Sequence, residues 1–265
     1  MKKPAAAVTT PRQGPMAGLD RTIGPGASPV RAICLAISGA WLVMIIAQVS
    51  GNAAALHHHA LIEGGTSIAV AVPAFLIAWC VMVVAMMWPA SLHAVHAFQR
   101  RSPNIRRPTL AVATFLGMSV TVWLGFGLIA FIGDVGVHRV VDGTPWLGAR
   151  PWLIEAAVLA TAGVYQLLPL KRRYLAACRR PDDRPIIFGR NGADATGSGV
   201  RHGLDCLGSA WALMLVTFAG GFGNLLLMAA LTLLMLYEAI GRHGERAATL
   251  AGVVLLFSAL TAPNV

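Results

Sequence analysis

Seven long hydrophobic stretches, separated by short polar or glycine-rich segments, dominate the pattern of residues along the chain. Most of them approach the length of about 20 residues that an α-helix needs to cross a bilayer. The pattern predicts an all-α, polytopic transmembrane helix bundle of about seven helices, or six if residues 204–240 form one tilted helix. The predicted segments are 30–49, 68–87 with a helical continuation to about 97, 110–132, 152–170, 204–219, 223–240 and 247–260.

The composition agrees with a membrane protein. Hydrophobic residues make up 56% of the 265 residues, charged residues make up 12%, and the mean hydropathy is +0.66. An ordinary soluble domain carries about 25% charged residues. We therefore expect a multi-pass protein whose main partner is the lipid bilayer.

The net charge of +10 has an explanation in the membrane orientation. If the N-terminus is cytoplasmic and seven helices cross, 19 of the 21 Lys and Arg residues lie inside, and only Arg139 and Arg150 lie outside. This asymmetry follows the positive-inside rule, so no nucleic-acid partner is needed. The same orientation makes residues 1–30, rich in proline, glycine and alanine, a disordered cytoplasmic tail. Residues 31–265 form the transmembrane domain, with a cytoplasmic loop at 171–203.

The segment MVVAMMWPASLHAVH, residues 82–96, places methionine and histidine inside a hydrophobic helix. At 100° per residue, four of these side chains lie within about 80° of one another and share one helix face. They are Met82, Met86, His93 and His96. Thioether and imidazole groups bind soft or borderline metal ions. Ordinary helix packing is the alternative role for the methionines, and an interfacial position is the alternative for the histidines.

Three segments and Glu238 carry a resemblance to a known family. The segments are FLIAWCVMVVAMMWPASLHAV (75–95), YQLLPLKRRYLAACRRP (165–181) and GVRHGLDCLGSAWALMLVTFAGGFGNLLLM (199–228). Over residues 70–245 the chain resembles a bacterial family of unknown function whose members are predicted metal-binding integral membrane proteins. The resemblance implies a multi-pass protein of the bacterial inner membrane that binds a metal. Ser209, Ala210 and Tyr174 stand where that family often has cysteines.

Further candidate ligands separate by the predicted side of the membrane. Imidazole, thiol and carboxylate groups lie toward the cytoplasmic end: His93, His96, Cys178, His202, Cys206, Glu238 and His243. Only imidazoles and carboxylates lie on the outer side: His57, His58, His59, Glu63, Asp134, His138, Asp142 and Glu155. Sulfur with imidazole suits copper(I), whereas imidazole with carboxylate suits zinc, copper(II) or nickel.

Two of these groups of candidates have simpler alternative roles. Glu238 has Arg242 four residues later, and a helical ion pair between them would satisfy the carboxylate. Three adjacent histidines need an irregular backbone to converge on one ion, so the other interpretation of residues 57–59 is a solvated loop. Glu155 has no basic residue within its helix except Arg150 at the start, which favours a functional role for it.

These features predict a protein that binds a transition metal, copper first, and transports or delivers it by passive relay. In this hypothesis the outer histidines and acids capture the ion, Met86 and Met82 pass it on, and His93, His96 and Cys206 release it. A membrane or periplasmic protein is a further expected partner. A non-catalytic membrane subunit or assembly factor without metal is the alternative. A membrane-embedded metal-dependent oxidoreductase is a third, although the chain has none of the usual enzyme motifs.

Overall fold

The computed structural model describes residues 29–51, 67–101, 105, 107–180, 193–219 and 224–262, and within these ranges it contains helices and no strand. The helices are α1 (Pro29–Val49), α2 (Ile68–Arg101), α3 (Pro108–Asp142), α4 (Pro145–Gly148), α5 (Trp152–Leu167), α6 (Pro169–Arg179), α7 (Ala193–Ala219), α8 (Leu225–Ile240) and α9 (Gly244–Thr261).

Prolines set where several helices begin. Pro108, Pro145 and Pro169 occupy the first turns of α3, α4 and α6, where a missing N–H leaves no helical hydrogen bond unmade. Pro169 also marks the end of α5, because the residue before a proline is driven out of helical backbone. Leu168 accordingly has ψ 144°. Helices α5 and α6 therefore meet at a bend of 66°.

The described residues contain four helices that are long and apolar enough to cross a membrane, namely α1, α2, α3 and α9. The bent pair α5 and α6 would make a fifth span, and α8 is apolar but has only 16 residues. Helices α2 and α3 have 34 and 35 residues, which is about 50 Å at 1.5 Å per residue. Each is longer than a hydrocarbon core of about 30 Å. A total of about seven crossings and a cytoplasmic N-terminus stay predictions.

Close backbone contacts join two helix pairs that pack along most of their length, α3 with α7 and α5 with α9. A Cβ on Gly199 of α7 would collide with the backbone oxygen of Phe115. A Cβ on Gly252 of α9 would lie 3.0 Å from the backbone oxygen of Gly163 in α5. Small residues allow such approach between membrane helices. In contrast, α1 packs mainly on α2, and only two of its residues, Ile33 and Ala40, are buried.

Several predicted boundaries differ from the observed ones. The segment predicted at 110–132 continues as helix to Asp142, and the predicted loop 171–203 is helical at both ends, through Arg179 and from Ala193. The predicted single helix at 152–170 is broken at Pro169 for the reason given above. The predicted tail, apart from its last two residues, and the glycine turn at 220–223 lie outside the described residues.

Candidate functional site

One end of the bundle encloses a small cavity of about 20 Å³, lined by α2, α6, α7 and α8. A cavity of this size has room for about one water molecule. Five residues that the sequence predicts at one membrane side line this cavity together, although they are far apart in the chain. They are His93, Cys178, His202, Cys206 and Glu238.

Two sulfur atoms meet at the cavity. The thiol Sγ of Cys206 lies 3.8 Å from the thioether Sδ of Met87, and both side chains are buried. A second thiol, on Cys178, lies 3.7 Å from the hydroxyl of Ser209, which itself donates to the backbone oxygen of Cys206 at 2.9 Å. Thiol and thioether groups are soft ligands, so this arrangement favours a soft ion such as copper(I) over magnesium or calcium.

A hydrogen-bond chain fixes the ring of His202 beside the sulfur atoms. The hydroxyl of Ser91 donates to the backbone oxygen of Met87 at 3.0 Å and lies 2.9 Å from Nε2 of His202. Because the hydroxyl has only one proton, Nε2 must donate to it, and a neutral His202 then carries its lone pair on Nδ1. The ring also stacks on Phe115, with centroids 5.2 Å apart. Its orientation is therefore set by two independent contacts.

The imidazole of His93 is engaged on both sides. Its Nδ1 lies 2.5 Å from the backbone oxygen of Ala90, and its Nε2 lies 2.5 Å from the backbone oxygen of Cys178. Both partners are carbonyl oxygens, so each ring nitrogen points at a hydrogen-bond acceptor of the protein. In this conformation neither nitrogen is directed at a metal, so ligation by His93 would require the side chain to rotate.

A buried ion pair joins α6 to α8 beside the cavity, which Glu238 lines. Nζ of Lys171 donates to Oε2 of Glu238 at 2.6 Å, and the two side chains are 1% and 2% exposed. Nε2 of Gln166 donates to the other carboxylate oxygen at 3.0 Å. Two buried charges are tolerated only when each finds the other with good hydrogen-bond geometry. The pair thus fastens α6 to α8 at the cavity.

The sequence suggested Arg242 as the ion-pair partner of Glu238, but the structure pairs Glu238 with Lys171 instead. Helix α8 ends at Ile240, and Gly241 has extended backbone with ψ 149°, so Arg242 is not placed one turn above Glu238. A different arginine binds this helix end. Arg179 donates to the backbone oxygens of Glu238 and Gly241, both at 2.7 Å, and so satisfies carbonyls that the end of the helix leaves free.

Residues 76–262, most of the chain, match the family model PpoB2, which is described as a copper chaperone. The chain belongs to this copper chaperone family. The match agrees with the metal-binding character that the resemblance implies and with copper as the expected metal, but it does not support that family specifically. No curated protein and no solved structure gives a significant match.

The methionines proposed for a copper path lie in the core of this copper chaperone family member. Met82 and Met86 are each 1% exposed, and Val83 is buried while Val84 is half-buried, as expected if α2 turns one side toward the bundle. Both methionines pack in one hydrophobic cluster with Met214, Met228 and Met235.

Other candidates do not line the cavity. His96 and His243 are exposed near the same end, and Glu155 is exposed in the first turn of α5. His96 lies one turn beyond His93 on α2 and is exposed there. His57, His58, His59 and Glu63 lie outside the described residues.

Two important residues were missed by the sequence analysis. Met87 lies about 140° from Met82 around the helix, outside the proposed metal-binding face, yet it is the residue that contacts Cys206. Lys171 was predicted as a basic loop residue and belongs to one of the segments that carry the family resemblance, but it was not predicted as a site residue, although it is buried against Glu238. The pattern LLPLKRR contained a signal for Lys171, because a proline there starts a new helix whose first turn includes it.

Within the described part of the chain, no group of three or more His, Cys, Asp and Glu side chains is arranged to hold a metal ion. A copper(I) site does not require three such groups, because thioether sulfur is also a ligand. The contact between Cys206 and Met87 is therefore the feature most relevant to the copper chaperone family.

Proposed function

We propose that this protein is a membrane-embedded copper carrier, which binds copper(I) as its cargo and delivers it to a partner protein. The observation that carries the proposal is the 3.8 Å approach of the Cys206 thiol to the Met87 thioether at a buried cavity. The copper chaperone family of the chain supports the same cargo. A passive carrier needs no energy-coupling domain, only a site that both binds and releases the ion.

The chemistry of loading is an exchange of a proton for copper. The S–H bond of Cys206 breaks, the sulfur keeps the electron pair and binds copper(I), and the proton leaves to water. Met87 supplies a second, neutral sulfur ligand. His202 and Cys178 line the same cavity and are the nearby groups for a third position. A neutral second ligand holds the ion less strongly than a second thiolate, which favours release.

We further propose that the buried methionines of α2 form part of the copper path. Met86 and Met82 follow Met87 toward the opposite end of the bundle, about 1.5 Å and 7.5 Å deeper along the helix axis. In the proposed topology, with a cytoplasmic N-terminus, the cavity faces the cytoplasm of a bacterium and the path leads toward the outside of the inner membrane.

Copper(I) binding by detergent-purified protein tests the proposed function. Under reducing conditions we expect stoichiometric copper(I) in the wild type, measured by competition with a colorimetric copper(I) chelator. Cys206→Ser and Met87→Leu keep the size of the side chain and remove a soft ligand, so each should weaken binding by at least about tenfold. Matched controls are Cys80→Ser, which changes a half-buried cysteine outside the cavity, and Met228→Leu, which changes a fully buried methionine of α8.

The outcomes separate the candidate functions. Equal losses in the target and control variants would attribute the effect to packing and contradict a site at Cys206. A wild-type protein that binds no copper(I) would instead favour the non-catalytic subunit, in which the bundle only docks other proteins.

Cysteine labelling tests the proposed topology. Ala176 is exposed on α6, near the cavity, and Thr144 follows the far end of α3. A membrane-impermeant maleimide should label Thr144→Cys in spheroplasts and Ala176→Cys only after permeabilisation. Labelling of Ala176→Cys in intact spheroplasts would reverse the orientation.

A further inference from the structure

The indole ring of Trp123 is held rigidly in α3. Trp123 is 0% exposed. Its backbone oxygen accepts a hydrogen bond of 2.9 Å from Nε1 of Trp79. Phe126 packs edge-on against its ring, with centroids 5.9 Å apart. Because the backbone and the ring plane are both fixed by these contacts, the direction of the indole N–H group is fixed too.

That N–H group lacks a conventional acceptor. Nε1 of Trp123 is buried and has no hydrogen-bond partner among the residues that the structure describes. Trp123 and Cys206 belong to the same buried cluster. Gly203 of α7 packs against Ser119 and Val122 of α3, and Trp211 packs against Phe126, so Trp123 and Cys206 lie at the same level of the contact between α3 and α7. A neutral thiol is a weak acceptor. Burying a donor without an acceptor is unfavourable, so any state of the protein that supplies the acceptor is favoured.

We propose that Trp123 is a positioning residue for the copper cargo, whose indole N–H donates to the sulfur of Cys206 when that sulfur is a copper-bound thiolate. The inference rests on the proposed function. Loading breaks the S–H bond, forms an S–Cu bond and releases the proton to water, with no change in the oxidation state of copper or sulfur. The thiolate carries more negative charge than the thiol, which makes it the better acceptor.

The arrangement gives the thiolate two partners of different kinds. The thioether of Met87 contacts Cys206 as a second soft sulfur, and the indole N–H would donate a hydrogen bond to the thiolate without binding the ion. Donors around a metal-bound ligand orient it, and their loss typically weakens metal binding by about 10-fold to 100-fold. We expect the lower value here, because a single N–H group is involved.

The test compares Trp123→Phe with a matched variant, Trp88→Phe. Both changes remove a buried indole N–H that has no partner among the described residues. Trp88 packs against a different hydrophobic cluster from the one that holds Trp123 and Cys206, and Phe keeps an aromatic ring at each position. In detergent-purified full-length protein, Trp123→Phe should weaken copper(I) binding about tenfold and shift the sulfur-to-copper charge-transfer band. Trp88→Phe should change neither.

A second measurement uses the wild-type protein and so does not depend on the folding of a variant. In wild-type protein with ¹⁵N-labelled tryptophan, addition of copper(I), or of silver(I) as a redox-inert soft ion, should shift one indole N–H resonance downfield. Trp123→Phe identifies that resonance by its absence when the variant folds.

The possible outcomes distinguish the two proposals. Normal copper(I) binding by Trp123→Phe together with unshifted indole resonances in the wild type overturns the role of Trp123 and leaves the copper site intact. Absence of copper(I) and silver(I) binding by the wild type overturns the proposed function. If Trp123→Phe and Trp88→Phe weakened copper(I) binding equally, and no indole resonance of the wild type shifted, the effect would be one of packing and would also contradict the inference.

Discussion

The two ends of the helical bundle carry similar kinds of side chain but assemble them differently. At the cavity end, Lys171 of α6 reaches Glu238 of α8, and Cys206 of α7 lies beside Met87 of α2. Each of these contacts joins residues more than sixty positions apart in the chain. The cavity end therefore depends on the packing of four helices.

At the other end, which we call the distal end, the polar contact that the structure describes on α3 is local. Nδ1 of His138 lies 2.9 Å from the backbone oxygen of Asp134 and 3.6 Å from its carboxylate, one helical turn away. Asp134 lies eleven residues beyond Trp123, or about 16 Å along α3. This contact needs only a formed helix, because both partners lie on α3.

Residues with metal-binding side chains that share one predicted membrane side are therefore weak evidence for a metal site, unless several helices bring those side chains together. It also gives a direction to experiments. Changes at the cavity end should affect helix packing, copper binding or both, whereas equivalent changes at the distal end should affect neither strongly.

The largest effect is expected from Lys171→Met. The substitution leaves the buried carboxylate of Glu238 without its positive partner, although Gln166 still donates to it. Removal of one member of a buried ion pair typically costs about 3–5 kcal/mol. The free energy of unfolding in detergent, followed by helical circular dichroism during SDS titration, should fall by that order.

Two controls sharpen this first prediction. The double variant Lys171→Met, Glu238→Leu removes both charges and should recover much of the lost stability. Glu155→Gln changes an exposed carboxylate of α5 and should alter the free energy of unfolding by less than about 0.5 kcal/mol. A loss in Glu155→Gln as large as that in Lys171→Met would remove the distinction between the two ends.

A smaller effect is expected from Gly199→Ala, which tests the helix packing that holds the cavity end. A Cβ at Gly199 would lie 2.9 Å from the Cα of Phe115 and collide with its oxygen, and backbone atoms cannot move aside cheaply. Overpacking of this kind costs about 1–3 kcal/mol. Gly117→Ala is the matched control, because an added Cβ there meets nothing within 4 Å. It should leave stability unchanged or raise it slightly, since alanine favours the helix. Equal destabilisation by both would contradict the close α3–α7 contact.

Hydrophobic pattern predicted much of the fold because most helices are set by local sequence. The predicted segments 30–49 and 247–260 agree with α1 and α9 to within about three residues. The break between α5 and α6 was missed although Pro169 signals it, because apolar residues continue on both sides of the proline. The length of an apolar segment therefore does not show whether the helix that it forms is straight or bent.

The candidate site was predictable only in part, and α2 shows why. A helix face can be selected from sequence when a helix has one buried side, but α2 contacts α1, α3, α7 and α8. Its buried residues 82, 83, 85, 86 and 87 consequently cover about 200° of its circumference, wider than the face of about 80° that the sequence suggested. The contact of Met87 with Cys206 and the pairing of Lys171 with Glu238 depend on which helices are neighbours, and sequence periodicity carries no information about that.

A moderate effect on stability is expected from Ser91→Ala at the cavity end. The variant removes the hydroxyl that accepts from Nε2 of His202, while the ring keeps its stacking on Phe115. Loss of one such hydrogen bond costs about 1 kcal/mol. Thermal unfolding should show this loss, and copper(I) affinity should fall as well if the orientation of His202 matters for binding. Ser258→Ala on α9, away from the cavity, is the control. If copper(I) affinity were unchanged in Ser91→Ala, His202 would have no part in the site.

The smallest effect is expected from His138→Gln at the distal end. Glutamine keeps a polar side chain of similar length, and an i, i+4 pair on one helix contributes only about 0.3–0.5 kcal/mol. Both the free energy of unfolding and the copper(I) stoichiometry should therefore stay close to their wild-type values. Inductively coupled plasma mass spectrometry, performed on the variant and on Cys206→Ser in parallel, measures the stoichiometry directly. If His138→Gln lost as much copper as Cys206→Ser, a second metal-binding place would exist at the distal end. The local contact of Asp134 with His138 would then be part of a capture site, and the functional difference between the two ends would disappear.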